Sequence, residues 1–323
     1  MATFNLLYAT KVNLGGWATF TVHLHKLLEA AGHTAHLYKI GNNTEEFTRP
    51  FAGHGISYRN ISREDLPTLT ANYCIVAALG KHFVEEVEPL LADGAGIVVH
   101  DTAESTNRMD ISSPWVIRKE LAPLFADARF IRHPYVRHGR NLGERDLDPK
   151  RRRGFYATSR VDFDKNTTMI LEANRLGANI EIVGFENRLY TKFKVCPDYP
   201  EWVQSKGNHP RSGEGSFGLL VDARGMVDLT DIKGDGGGTQ YTFLEAWDAG
   251  AVPIIGKWWE RKGDDMKDNN NCFMVEDAEQ LKSLVTRWPS SSGEAAAAGQ
   301  RRLVRYHGKS LVPEIIDWLE NLE

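Results

Sequence analysis

The residues with the most chemical potential fall between Gly234 and Ile255. Asp235, Gly236, Gly237, Gly238 and Thr239 make a glycine-rich loop. It leads into a helical pattern from Tyr241 to Ala249, a tight turn at Gly250 and an apolar strand from Val252 to Ile255. Such a loop turns several backbone N–H groups toward one point, and the positive end of the helix dipole adds to them, which suits a phosphate or another anion. Glu245 lies deeper in the helix, where a carboxylate does not help an anion through the dipole. It suits accepting hydrogen bonds from ribose or sugar hydroxyls. These residues together describe a pocket for a nucleotide sugar. The stretch is equally readable as a plain glycine-rich turn capping an ordinary βα unit.

Two cations, Arg160 and Lys165, follow an apolar strand running from Gly154 to Thr158. Doubly wound sheets bind ligands at strand ends, and an Arg fork with a Lys point charge could clasp a diphosphate. A salt-bridged surface loop accounts for them equally well. Gly15 and Gly16 separate the first strand from the first helix and let backbone approach a ligand closely. They do not complete G-x-G-x-x-G, since Ala18 and Phe20 take the later positions, and no acidic residue ends the second strand. Both facts weigh against a nicotinamide dinucleotide and an oxidoreductase; a tight turn with helix packing is the plainer reading. His100 and Asp101 follow the apolar run that starts at Gly96 and could orient or deprotonate an acceptor hydroxyl. An Asp in that place also caps a following helix. Asp264, Asp265 and Asp268 sit in a Lys-rich polar loop and read as solvated, so no metal is expected.

These residues need a frame. The 323 residues, 41% hydrophobic and 25% charged, are many for one core and suit two α/β domains. A net charge of −4 announces no polyanion partner, so a nucleic-acid contact would need a local basic patch. Phe4 to Ala9 reads as a buried strand. Ala18 to Ala31 reads as a helix with Phe20, Leu24, Leu27 and Leu28 on one face, and His36 to Ile40 as a second strand. Tyr73 to Ala78, Gly96 to His100 and Arg129 to Arg132 continue the series, which predicts a parallel, doubly wound sheet with crossover helices. Leu142 to Arg153 is polar and reads as a linker. A second series has strands at Gly154 to Thr158, Ile180 to Val183, Gly218 to Asp222 and Val252 to Ile255. Its helices are Thr167 to Leu176 and Tyr241 to Ala249, and an amphipathic helix runs from Leu311 to Leu322. Cys74, Cys196 and Cys272 form no CxxC pair or metal spacing. The residues from Met1 to Tyr8 lack a basic, long apolar leader, and no apolar run approaches about 18 residues. The expectation is a cytoplasmic protein without membrane insertion.

In order and spacing these pieces resemble the GT-B glycosyltransferases, in particular retaining enzymes similar to glycosyltransferase family four. The resemblance covers nearly the whole chain. It rests on Gly15 and Gly16, His100 and Asp101, Arg160 and Lys165, the glycine-rich loop with Leu244, Glu245 and Ala246, and the run from Ala249 to Pro253. It implies an α/β fold of GT-B type, with two Rossmann-like doubly wound domains facing a cleft. The domains would be 1–148 on the acceptor side and 149–305 for the nucleotide sugar, with 306–323 returning to the first. It implies that Arg160 and Lys165 hold a donor diphosphate and that Glu245, the second acid of an E-x7-E motif, binds the ribose. Gly15 and Gly16 would approach the donor phosphates, and His100 or Asp101 would lie by the transferred sugar. The implied catalytic set is His100, Asp101, Arg160 and Lys165. The donor-binding set is Gly15, Gly16, Arg160, Lys165, Asp235, Gly236, Gly237, Gly238, Thr239 and Glu245. The chain departs from the motif at its first acid, which falls at Gly237; Asp235 could take over. The implied reaction moves a hexose from a nucleotide-diphosphate sugar of UDP-glucose type to a hydroxyl with retention, without a further cofactor or metal.

Two basic runs bear on the acceptor: Arg129, Arg132, His133, Arg137, His138 and Arg140, then Lys150, Arg151, Arg152 and Arg153. They could grip phosphates or be a solvated linker. Some viral GT-B enzymes glycosylate hydroxymethylated DNA bases, and this chain is compact like a phage enzyme. The leading expectation is therefore double-stranded DNA carrying hydroxymethylated bases, held by Arg137, Arg140, Arg151 and Arg152, in the host cytoplasm of a phage. A carbohydrate or small-molecule acceptor is the alternative. A GT-B scaffold that binds nucleotide sugar without turnover is another. His23, His25 and Lys26 give the first helix a modestly polar face, a weak sign of membrane docking.

Overall fold

The structure, a computed structural model, describes residues 1–11, 16–40, 51, 54–100, 111–139, 142–143, 145–200, 216–231, 239–262 and 265–322. The chain divides into two compact units. One contains Met1–Val136 and Val304–Glu323; the other contains Arg137–Lys233 and Thr239–Leu303.

The first unit is built on a parallel sheet of β1 (Thr3–Ala9), β2 (Thr34–Ile40), β3 (Tyr58–Ile61), β4 (Tyr73–Leu79), β5 (Gly96–Val99), β6 (Trp115–Val116) and β7 (Arg129–Phe130). Its strand order is β3-β2-β1-β4-β5-β6-β7, which reverses direction between β1 and β4. β1, β4 and β5 bury nearly every residue, as strands covered on both faces must. Helices α1 (Gly16–Ala30) and α2 (Val84–Ala92) are crossovers; Val87 and Leu90 of α2 pack on Leu7, Val76 and Ile97. The apolar face of α1 is where the sequence places it, with Phe20, Leu24, Leu27 and Leu28 buried. Of its expected polar face only Lys26 is partly exposed. His23 and His25 are buried as well, and His23 stacks with Tyr135 at 4.7 Å and accepts from the Val136 N–H at 3.0 Å. That removes the histidines from any membrane-facing role.

The second unit has a five-stranded parallel sheet of β8 (Phe155–Ala157), β9 (Glu181–Ile182), β10 (Gly225–Asp228), β11 (Val252–Gly256) and β12 (Phe273–Val275), in the order β12-β11-β10-β8-β9. Here the order reverses between β8 and β10. Its helices are α3 (Thr167–Arg175), α4 (Arg188–Tyr190, continued by a π-helical turn, Thr191–Val195), α5 (Phe217–Leu220) and α6 (Tyr241–Asp248). They are followed by α7 (Trp259–Lys262), α8 (Ala278–Thr286) and α9 (Ser292–Arg302). The strand expected from Gly218 to Asp222 is instead α5 and the turn after it, and the strand follows as β10. A short apolar run fits either period, and here Phe217 and Leu220, three apart, share the buried face. The segment from Leu142 to Arg153 is no loose linker: Leu147 packs on Val252, Phe273 and Ala296, and Arg152 is buried.

The last helix, α10 (Gly308–Glu320), packs within the first unit. Its Trp318 donates its indole N–H to the Ser113 carbonyl at 2.7 Å and meets Trp115 edge-on at 5.6 Å. Gly96 leaves room for that indole, since a Cβ there would lie 2.3 Å from the ring. Among the described residues, no helix is long and apolar enough to cross a membrane.

Candidate functional site

In an open parallel sheet the loops beyond the strand tips diverge where the strand order reverses, and a crevice opens there. In the second unit this point lies beyond β8 and β10. The loop after β8 carries Arg160 and Lys165, and the loop after β10 carries Thr230. Three bonds stitch the two loops together. Lys165 Nζ donates to Thr230 Oγ1 at 2.9 Å, Asn166 Nδ2 to the Leu229 carbonyl at 2.9 Å, and the Asp231 N–H to the Asp164 carbonyl at 2.9 Å. Asn166 takes a left-handed conformation, φ 45°, to start α3 there. Lys165 is largely buried and also pairs with Asp164 at 3.3 Å.

Thr230 is the hub of this arrangement. Its N–H and hydroxyl both donate to Asp228 Oδ1, the N–H at 3.0 Å. Its carbonyl accepts the indole N–H groups of Trp258 at 2.7 Å and Trp259 at 2.9 Å. Asp228 is fully buried at the tip of β10, and its other oxygen accepts from Thr242 Oγ1 at 2.6 Å. Thr242 stands in the first turn of α6, so one carboxylate ties the Lys165 support to the helix that bears Glu245. Glu245 accepts from Ser216 Oγ. Thr239 is buried just before α6 and Gly16 is exposed at the start of α1. Two buried polar atoms near these elements, Thr158 Oγ1 just beyond β8 and Gln240 Nε2 at the N-cap of α6, have no hydrogen-bond partner among the described residues.

Arg160 is half exposed and pairs with Asp162 at 3.4 Å. Its loop leans on the loop after β9: the Val161 N–H reaches the Phe185 carbonyl at 2.8 Å, and the Asn187 N–H returns to the Val161 carbonyl at 2.9 Å. Gly184 makes this approach possible. A Cβ there would sit 1.6 Å from the Ser159 carbonyl oxygen.

In the first unit His100 is buried beyond β5. Its Nε2 lies 2.8 Å from the Ala77 carbonyl, an acceptor only, so Nε2 carries the proton. Burial, aided by the charge of Arg118, pushes its pKa down to about 4 against a weaker opposing effect of the Ala77 bond. The imidazole is therefore neutral near neutral pH. Phe20 packs edge-on against it at 4.8 Å.

The basic runs divide into two kinds. Arg151 is exposed and pairs loosely with Asp148 at 4.0 Å. Arg152 is buried, and its guanidinium donates to the backbone carbonyls of Ala223, Asp146, Leu220 and Ala249 at 2.6–2.9 Å. That corrects its expected role on the acceptor, since the side chain is buried and four of its five N–H donors are committed to backbone carbonyls. Arg137 is partly committed in the same way, its Nε donating to buried Asp248 at 2.9 Å and its Nη2 to Gln300. Burial raises the Asp248 carboxyl, but the bonds from His138 and Arg137 outweigh it and hold the group below the usual range.

Gly15, Asp101, Arg140, Asp235, Gly236, Gly237, Gly238 and Asp264 lie outside the described residues. Among those described, no three His, Cys, Asp or Glu side chains gather where they could hold a metal ion. Sequence reasoning missed Asp228, Thr230 and Thr242. Their signal was an Asp and a Thr two apart after an apolar strand, hidden because the strand was placed one segment too early.

No protein-family model matches the chain, and no curated protein matches it in sequence. Solved structures do. An alpha-glucosyltransferase (AGT) in complex with UDP is similar to it with a TM-score of 0.72 at 10% identity, covering 99% of this chain and 100% of that one. An alpha-glucosyltransferase with UDP and a 13-mer DNA containing an HMU base has a TM-score of 0.70 at 10% identity, with the same coverage. A mutant of S. aureus TarM with fondaparinux, alpha-GlcNAc-glycerol and UDP has a TM-score of 0.70 at 11% identity, again over 99% and 100% of the two chains. The chain therefore has the GT-B fold along its whole length.

Proposed function

We propose that this chain is a retaining glycosyltransferase of family-four type that moves a hexose from a UDP-sugar to a hydroxymethylated base in double-stranded DNA. The observation that carries the reading is the stitched pair of loops after β8 and β10. Lys165 is held there by Thr230, and Arg160 stands half exposed on the same loop, in a fold shared with UDP-bound enzymes.

The chemistry follows from charge. As the glycosidic bond breaks, negative charge develops on the leaving diphosphate. Lys165 and Arg160 neutralise it, Lys165 from a fixed position that needs no reorganisation. Backbone N–H groups from Gly236 to Thr239, with Gln240 and the start of α6, share the phosphate load. Glu245 reads the ribose hydroxyls, and Gly15 and Gly16 admit the phosphates to close backbone approach. Asp235 stands in for the missing first acid in reading the sugar. His100, neutral with Nε2 occupied, works by hydrogen bonding rather than as a base at neutral pH, and Asp101 shares its place by the sugar. With no carboxylate assigned as nucleophile, retention follows a same-face path in which a leaving phosphate oxygen takes the acceptor proton. Arg137, Arg140 and Arg151 stay on the acceptor side; Arg152 does not. The division of labour is 1–148 for the acceptor, 149–305 for the donor and 306–323 as a return to the first domain. The resemblance and the DNA-bound neighbour favour a phage enzyme working in host cytoplasm.

A carbohydrate or small-molecule acceptor is the second reading, favoured by the equal likeness to TarM bound to alpha-GlcNAc-glycerol. One experiment separates the readings. Thermal shifts are measured with UDP, GDP and ADP, then UDP release from UDP-glucose is followed with plain DNA, hydroxymethylated DNA and glycerol-type acceptors. UDP at about 100 times its Kd should add about 2.7 kcal/mol of stability, and release should require modified DNA. Absence of any nucleotide shift would sink the donor site. Release driven by the small acceptors alone would establish the second reading.

A further inference from the structure

The loops after β8 and β9 also carry an outward aromatic face. Phe163, Phe185 and Phe193 are 58%, 40% and 61% exposed, unusual for phenylalanine on a folded surface. Phe163 meets Tyr190 of α4 edge-on at 5.1 Å, and Lys192 Nζ lies 5.3 Å from the centre of the Phe193 ring. From Arg188 to Val195 the buried positions are Tyr190, Thr191 and Val195. Arg188, Lys192 and Lys194 face outward with Leu189 and Phe193, and no acid interrupts them; Glu186 and Asp198 lie just outside the segment. The face is tied to the candidate site. Asn187 caps α4 by accepting from the Leu189 N–H at 3.0 Å and donates its Nδ2 to Asp162 at 2.9 Å, and Asp162 pairs with Arg160.

We propose that this face grips duplex DNA beside the donor site. Arg188, Lys192 and Lys194 neutralise phosphates, and Phe163, Phe185 and Phe193 press on sugars or base steps. The proposal rests on the DNA reading above and deepens it, because the linker cations expected to do this work are partly committed to the fold. Three cations with no intervening acid complement a polyanion. The rings come from three separate segments rather than one continuous apolar stripe, which fits a nucleic acid better than a lipid surface.

The test is binding of a labelled duplex by fluorescence anisotropy between about 50 and 200 mM salt. It compares the wild-type chain with the triple variant Arg188→Gln, Lys192→Gln, Lys194→Gln. All three side chains are exposed, so the fold should survive, and the UDP thermal shift should be unchanged. The slope of log affinity against log salt should fall by about 2 to 3, close to 0.9 for each phosphate that is no longer neutralised. Phe193→Ala should weaken binding roughly fivefold or more with little change in slope. An unchanged slope in the triple variant, with the UDP shift intact, overturns the proposal. So does variant-sensitive binding to phosphatidylserine vesicles without duplex binding. A wild-type chain with no UDP shift is a separate failure, of the donor reading itself.

Discussion

The two parallel sheets end in different ways. Beyond β8 and β10 the ionisable side chains bond to one another and to hydroxyls: Lys165 to Thr230 and Asp164, and Asp228 to Thr230 and Thr242. At the strand ends of the first unit, burial has pushed groups toward neutrality. His100 after β5 is lowered to about 4, His133 after β7 well below its usual value, and Lys39 near the end of β2 to about 8. Burying a charge is costly unless it finds partners or gives up its proton. The second unit takes the first course; in the first unit the histidines take the second, while Lys39, at about 8, is only drawn toward it. Partnered charges fixed at strand ends could meet a ligand that carries or develops negative charge; the first unit's His100 and His133 are buried, and burial leaves them neutral near neutral pH.

The largest expected effect breaks the charged side of that contrast. Lys165→Ala should lower transfer by about 10²–10³-fold in single-turnover assays. The melting temperature should change little, because Thr230 keeps its bonds to Asp228. Transfer within tenfold of wild type would mean that charge at this point is not what the site uses. The next effect tests the neutral side. Folded His100 takes up a proton only near pH 4, whereas in the unfolded chain it does so near its ordinary 6.5. Its contribution to stability is therefore complete above about pH 6.5 and lost as pH falls toward 4, by on the order of 3 kcal/mol. His133 works in the same direction. Asp248, held below the ordinary carboxylate range, loses its contribution only at lower pH. Urea unfolding across this window should show the fall, and His100→Asn should flatten it; a flat wild-type profile would refute the neutral-imidazole account.

The fold class was legible because strands buried on both faces leave continuous apolar runs. β1, β4 and β5 are such runs, and helical spacing separates them. β6, with two residues, is too short to show any period; β7 and β9 are as short but fall within the runs Arg129 to Arg132 and Ile180 to Val183. Arg160 and Lys165 stood out as cations after a strand. Thr230 did not, because its importance lies in what it joins. The carbonyls that claim Arg152 come from three places far along the chain and one nearby, and no spacing in a basic run announces them.

That contrast between neighbouring arginines gives the third prediction. Arg152→Ala leaves buried carbonyls without their donors and should cost roughly 2–4 kcal/mol in denaturant unfolding. Arg151→Ala, at an exposed side chain, should stay within about 0.5 kcal/mol. Equal effects would return both residues to one solvated run.

The smallest effect is the most discriminating within the second unit. Thr242→Val keeps the shape of the side chain and removes only the hydroxyl that donates to Asp228 at 2.6 Å. One such bond contributes about 1 kcal/mol to stability. If Asp228 merely fills a polar niche, the loss ends there, and UDP affinity and transfer stay as they were. If Asp228 couples the Lys165 support to α6, the helix start shifts relative to the lysine, and UDP affinity should fall several-fold while Thr242→Ser restores it. Calorimetric titration of UDP into both variants reads the difference directly. A charge at a strand tip is useful to a ligand only when the elements around it are fixed to one another, and in this unit a single buried carboxylate, reached from both sides by threonine hydroxyls, makes that connection.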